Sequence, residues 1–300
     1  MERPLARHLM SSSIIALDRQ ASLRDAAGVM RSGEVGWLPV LDGGGWSPVG
    51  TVTDHDIVVK GLAAGRDPQG TPVSSVMSDD LAVCHADEVV EEAAERMRER
   101  RIGRLLVTDR KGRPMGVLSR SDVLSGAADE RIVRSVFDPG HGAGVFETSG
   151  DGDGRHEMQV DELMTAPVKS VRAEATLEKT AAVMRRSNVG WLPVLSRSGG
   201  VLGVITVRNI VTRAVADGLD ASATSVEEVC SSTFVWCRSD HSAESAASVM
   251  ARNGVRRLLV VNAGYEPVGV VSFQEVLPHV KGYDWISHLF RSSTSGRSSA

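Results

Sequence analysis

The sequence predicts an α/β protein built from four copies of one small β-α-β-β-α unit, arranged as two paired modules that stack into a disc within the single chain. Three observations carry this prediction. The stretch Gly36-Trp37-Leu38-Pro39-Val40-Leu41 returns 154 residues later as Gly190-Trp191-Leu192-Pro193-Val194-Leu195. Met30, Met97, Met184 and Met250 divide each half again, with steps of 67, 87 and 66 residues. Two further landmark sets keep the same frame: Met10, Met77, Met164 and Cys230, and Gly50, Gly116, Gly203 and Gly269. Several landmarks recurring in one register mark an internal repeat.

Each element of the unit follows from local pattern. Leu23, Ala26, Ala27 and Met30 recur at i, i+3, i+4 and i+7, as do Val90, Ala93, Ala94, Met97 and Ala243, Ala246, Ala247, Met250. This is the period of an amphipathic helix with a narrow apolar stripe, and its alanines permit close packing. Two apolar runs follow around a turn, such as Leu105 to Thr108 and Met115 to Leu118 about Asp109 to Pro114, and predict a β-hairpin. Thr53, Ser119, Thr206 and Ser272 then stand where an N-cap opens a second helix.

The repeats are expected over about 7–62 and 74–128 in a first module (1–128), and over about 161–217 and 227–281 in a second (159–283). The longer middle step places a linker over 129–158, rich in Gly and Asp, with a short helix near Arg131 to Phe137. Residues 284–300 end in a small, polar tail expected to be disordered.

Composition narrows the function classes. The chain has 300 residues, 42% hydrophobic and 24% charged, enough for two ordinary cores. A formal charge of −4 offers no general basic field, so binding of nucleic acid through its phosphates is not expected. Three cysteines without a CxxC pair argue against a disulfide framework or a four-ligand zinc site. Cys84 and Cys237 share one repeat position and are expected to be core thiols. No stretch approaches the length of a membrane span, and a soluble cytoplasmic protein is expected.

With that order in hand, the repeat resembles the CBS domain family. The resemblance rests on an apolar Pro-Val strand followed by Gly-apolar-apolar-Ser/Thr-x-x-Asp. It is carried by Gly50-Thr51-Val52-Thr53-Asp54-His55-Asp56 in the first copy and Gly116-Val117-Leu118-Ser119-Arg120-Ser121-Asp122 in the second. It implies an adenosine-containing ligand (AMP, ADP or ATP) held between two copies, with Asp56 or Asp122 accepting hydrogen bonds from the ribose hydroxyls and Thr53 or Ser119 donating nearby. It also implies that Arg104, with Arg256 and Arg257, turns toward ligand phosphates. Thr206 and Asn209 hold the equivalent positions of the third copy, and Ser272 and Glu275 those of the fourth. There the motif lacks Asp, so capping is the expected role, with Thr206 and Asn209 kept as weaker candidates for ligand contact.

The same Ser/Thr-x-x-acid spacing is a helix capping box, so ligand contact and helix capping both remain open for Asp56 and Asp122. Trp37 and Trp191 stand where the other copies have Arg104 and Arg257 and are expected to pack. Asp54-His55-Asp56 lacks the i, i+4 spacing of helical metal ligands, so no metal site is expected. No nucleophile-base order or phosphate-binding Gly-Lys loop stands out, and catalysis is not expected. The expected function is a regulatory protein that signals energy or stress state to a protein partner, with self-association of discs as a further option. The alternatives are a ligand-independent interaction scaffold and an enzyme acting on a nucleotide.

Overall fold

The computed structural model describes residues 3–43, 48–126 and 157–280. Most of the expected linker (129–158), its short helix and the tail (284–300) lie outside these residues. Each repeat has one three-stranded sheet, its first two strands parallel and the last two an antiparallel hairpin. In chain order the first repeat comprises α1 (Ala6–Leu9), β1 (Leu17–Asp18), α2 (Leu23–Ser32), β2 (Trp37–Leu41), β3 (Pro48–Thr53) and α3 (Asp54–Asp56). The second has β4 (Val83–His85), α4 (Val90–Glu99), β5 (Arg104–Thr108), β6 (Pro114–Ser119) and α5 (Arg120–Gly126). The third has α6 (Val160–Leu163), β7 (Val171–Arg172), α7 (Leu177–Ser187), β8 (Trp191–Leu195), β9 (Val201–Thr206) and α8 (Val207–Ile210). The fourth has β10 (Trp236–Arg238), α9 (Ala243–Asn253), β11 (Arg257–Val261), β12 (Pro267–Ser272) and α10 (Phe273–Val276).

The expected helix stripes are the ones that disappear from solvent. Leu23, Ala26, Ala27 and Met30 are wholly buried, as are Val90, Ala93, Ala94 and Met97. Ser22, Thr176 and Ser242 cap α2, α7 and α9 by accepting the N3 amide, which satisfies an otherwise unpaired donor. The second helix is less regular than the pattern implied. After its first turn it widens into a π-helical stretch at Ile57–Gly61 in the first repeat and Val211–Val215 in the third.

The repeats of a module exchange the segment that precedes each of them. Ser11 pairs both ways with Val117 (2.9 Å each), and Ser78 both ways with Thr51 (2.8 Å each). In the second module Ser231 pairs with Val204 (2.8 and 2.9 Å) and Thr165 with Val270 (2.9 and 3.1 Å). Each bridge covers the outer edge of a hairpin strand, where backbone groups would otherwise lack partners. A second stitch lies at the first helix of each repeat. The amide N–H of Leu23, Val90, Leu177 and Ala243 donates to the carbonyls of Thr71, Pro4, Thr224 and Met158, respectively, at 2.9–3.0 Å.

This exchange explains the repeating glycine. A Cβ at Gly50 or Gly203 would overlap the Ser78 or Ser231 carbonyl, one at Gly116 would lie 2.5 Å from the Ser11 carbonyl, and one at Gly269 would overlap the Met164 sulfur. The Met10, Met77, Met164 and Cys230 landmarks belong to the same exchanged segments, so the two sequence rhythms are the two sides of one contact.

Two apolar cores cross the modules. One joins the first and third repeats, where α2 packs on Val211–Val215 and α7 on Ile57–Ala64. The other joins the second and fourth, including Met97, Leu118, Met250 and Val271, together with Ala6 from the exchanged N-terminal segment. Polar contacts close the first junction: Arg31 donates to the Thr212 carbonyl (3.3 Å) and Asp217 (2.5 Å), and Arg208 donates to the Val35 carbonyl. Cys84 and Cys237 are buried in the second core, where burial pushes both thiols up to about 12.

Two glycine substitutions should have opposite outcomes. Gly203→Ala forces a methyl against backbone that cannot move aside and should cost about 1–3 kcal/mol of unfolding free energy. Gly28 lies inside α2 with open space where its Cβ would be, so Gly28→Ala should stabilise by about 0.5–1 kcal/mol. Urea denaturation of both variants checks the pair.

Candidate functional site: clefts between paired repeats

The Ser/Thr-x-x-acid position, Asn in the third repeat, accepts the backbone N–H of its Ser or Thr in all four repeats, and the first three share two further bonds. In the first, Thr53 donates its backbone N–H (2.9 Å) and its hydroxyl (2.6 Å) to Oδ2 of Asp56, and Thr53 Oγ1 accepts the Asp56 amide (3.0 Å). The second repeats this with Ser119 and Asp122 (2.8, 2.6 and 3.2 Å). The third does so with Thr206 and Asn209 (3.0, 2.7 and 3.0 Å). In the fourth, Ser272 donates its amide to Glu275 at 2.6 Å. Capping is therefore a role these residues perform everywhere.

What differs is the rest of each carboxyl group. Asp56 also meets Lys60, one turn on, through Oδ1 at 2.8 Å, and its side chain is only 13% exposed. In the second repeat the residue four beyond Asp122 is Gly126, so no such lysine clamp exists. In the fourth, the remaining oxygen of Glu275 accepts from the Thr165 hydroxyl (3.0 Å), which arrives on the exchanged segment.

Two clefts lie at equivalent places in the two modules. The first, about 240 Å³, is lined on one side by Ser119, Asp122 and Arg104 of the second repeat and on the other by Glu34, Val35 and Trp37 of the first. Arg256 of the fourth repeat also lines it, and donates to Ser121 at 3.2 Å. The second, about 640 Å³, is lined by Thr165, Lys169, Arg186, Trp191, Arg257 and Glu275, among others. Thus Arg104, Ser119 and Asp122 come together as expected, whereas Thr53, Asp56, Thr206 and Asn209 line neither cleft. Trp37 and Trp191 are half-buried and face the clefts, a departure from a purely packing role.

Charge converges near the first cleft. Burial lowers the Arg256 pKa, and repulsion from Arg104 and Arg257 lowers it further. Asp54 lies close by: burial raises its carboxyl, opposed by Arg208 and Arg104. Arg208 approaches Asp54 at 3.8 Å while holding the carbonyl of Val35, a residue of the cleft wall. The contributions of Glu34 and Lys169 were missed in the sequence. They come from segments whose partner repeat is fixed only by the exchange, although the 154-residue offset relating Ile15 to Lys169 and Glu34 to Asn188 was there to be followed. Among the described residues no group of three or more acidic, His or Cys side chains is placed to hold a metal, and no helix is long and apolar enough to cross a membrane.

Because the capping bonds are alike, Asp56→Ala and Asp122→Ala should each lower stability by about 1–2 kcal/mol. Chemical denaturation of the two variants without added ligand measures this.

Comparison with known proteins agrees with the architecture. The chain is 30% identical over 131 residues to hypoxic response protein 1 of Mycobacterium tuberculosis, a match covering 44% of this chain and 90% of the relative. It is 26% identical over 163 residues to protein MJ1404 of Methanocaldococcus jannaschii, covering 54% of this chain and only 36% of that protein's length. The crystal structure of protein MJ1225 from the same organism superposes with a TM-score of 0.62 at 18% identity, covering 91% of this chain and 99% of the other, which is a likeness of fold. The sequence profile of the CBS domain matches residues 6–61, 73–129, 160–216 and 226–282. With four matches spanning most of its length, the chain belongs to the CBS domain family.

Proposed function

We propose that the protein is a regulatory sensor whose first cleft binds an adenosine nucleotide of the AMP, ADP or ATP class. The observation that carries this reading is the convergence of Ser119, Asp122 and Arg104 with Arg256, which belongs to the other module. A carboxylate suits a vicinal diol, and guanidinium groups suit a phosphate. A ligand held by both sets ties the modules together, so its binding free energy biases how they pack. That bias is the signal to a protein partner, and it is delivered by binding without catalysis. The relative named for the hypoxic response supports a role in reporting energy or stress state. In this reading Asp56, clamped by Lys60, serves the fold alone. Self-association of discs would add a second route for the signal.

A second reading is favoured by the capping box present in every repeat: the chain is a ligand-independent scaffold, and all four motifs only start helices. Thermal unfolding with AMP, ADP, ATP and S-adenosylmethionine separates the two. At a hundredfold excess over Kd, a ligand should add roughly 2.7 kcal/mol and raise the midpoint by about 5–10 °C. Asp122→Ala and Arg256→Ala should lose most of that rise relative to their own baselines, while Asp56→Ala keeps it. No rise with any adenosine compound at millimolar concentration leaves the scaffold; conversion of the nucleotide during incubation would instead make the protein an enzyme.

A further inference from the structure

A cavity of about 370 Å³ lies outside both clefts, at the junction of the first and third repeats and therefore between the modules. It is walled by the first turns of α2 and α7 and by the loops at residues 65–69 and 218–222, which follow the two π-helical stretches. The two halves of the wall are related by the repeat. Arg24 and Glu178 are each the second residue of their helix, and Gly65 and Gly218 begin the two loops in the left-handed region, at φ 68° and 70°. Each glycine lies against the other repeat's helix. A Cβ on Gly218 would come within 2.7 Å of the Arg24 guanidinium carbon, and one on Gly65 would lie 3.6 Å from Glu178 Oε1.

These equivalent positions carry opposite charges that do not neutralise each other. Among the described residues the Arg24 side chain bonds only to Gln69 Oε1, at 2.7 Å, and the Glu178 carboxylate has no hydrogen-bond or ion-pair partner. Gln69 is itself fixed, its amide donating to Asp67 Oδ1 at 3.0 Å, so Arg24 is braced on the cavity wall without a carboxylate of its own. Leu219, 40% exposed, stands on the same wall with Pro68 and Ala221. Asp67, Glu178 and Asp220 outnumber Arg24 and Arg66 around the cavity, a balance that disfavours a phosphate. A guanidinium, a carboxylate and an apolar surface in one cavity instead complement a molecule that carries a carboxylate, an ammonium and an apolar group.

We infer that this cavity binds a free α-amino acid with an apolar side chain. Its carboxylate pairs with Arg24, its ammonium with Glu178, and its side chain covers Leu219. Such a ligand touches the first and third repeats together and tightens the junction between modules. The site stands apart from the adenosine reading of the first cleft and does not require it.

Isothermal titration of the full chain with L-leucine, L-isoleucine, L-valine and L-methionine tests the inference, and at least one should bind at millimolar concentration or below. The amide of that amino acid lacks the carboxylate and its N-acetyl derivative lacks the ammonium. Each should bind about tenfold more weakly or worse, the effect of losing one charge-assisted hydrogen bond. Arg24→Gln and Glu178→Gln, both at half-buried positions, should weaken the amino acid by about the same factor. Arg24→Gln should change binding of the amide little, because the partner it loses is already missing, and Glu178→Gln should do the same for the N-acetyl derivative. No binding by any of the four, binding that survives removal of either ligand charge, or binding indifferent to both variants overturns the inference.

Discussion

The exchange of segments between paired repeats depends on the absence of a side chain at Gly50, Gly116, Gly203 and Gly269. At each of these positions the partner's exchanged segment, backbone or the Met164 side chain, runs where a Cβ would be, and the bridges at Thr51, Val117, Val204 and Val270 form beside it. Interiors at close-packed density do not absorb an added methyl without displacement of neighbours. The four glycines therefore permit the exchange that pairs the repeats, and with it the clefts between them. Ser11 and Thr165 reach their clefts only because they travel on exchanged segments.

A second level of organisation follows from the helices. The exchange joins the first repeat to the second and the third to the fourth, whereas the apolar cores join the first to the third and the second to the fourth. Each repeat is thus held by two neighbours through different kinds of contact, directional backbone bonds on one side and apolar burial on the other. The arrangement brings Arg256 to a cleft of the opposite module and Arg208 to the carbonyl of Val35. The first cleft is thus lined by side chains of both modules, the arrangement that the proposed coupling between sites requires.

The four capping motifs show how one local device supports unequal sites. A capping box needs only an acceptor three residues beyond a Ser or Thr, and Asp56, Asp122, Asn209 and Glu275 all meet that need. Their remaining polar atoms go to different ends: Asp56 to Lys60, Glu275 to Thr165. The motif in the sequence announced a helix start with equal force in the four copies. It could not separate Asp122, which lines the first cleft, from Asp56, which lines neither of the two, because the wall facing Asp122 comes from other repeats.

The sequence by itself determined the repeat, the order of its strands and helices, the buried stripe of each first helix and the positions of the caps. All of these depend on contacts a few residues apart, or on periodicities of 2 and 3.6 that burial imposes. The placement of Arg104 beside Arg256 and the bond from Thr165 to Glu275 were decided by tertiary structure alone. They join side chains separated by a hundred residues or more, or carried on exchanged segments, and no local pattern records which distant backbone will lie against a glycine.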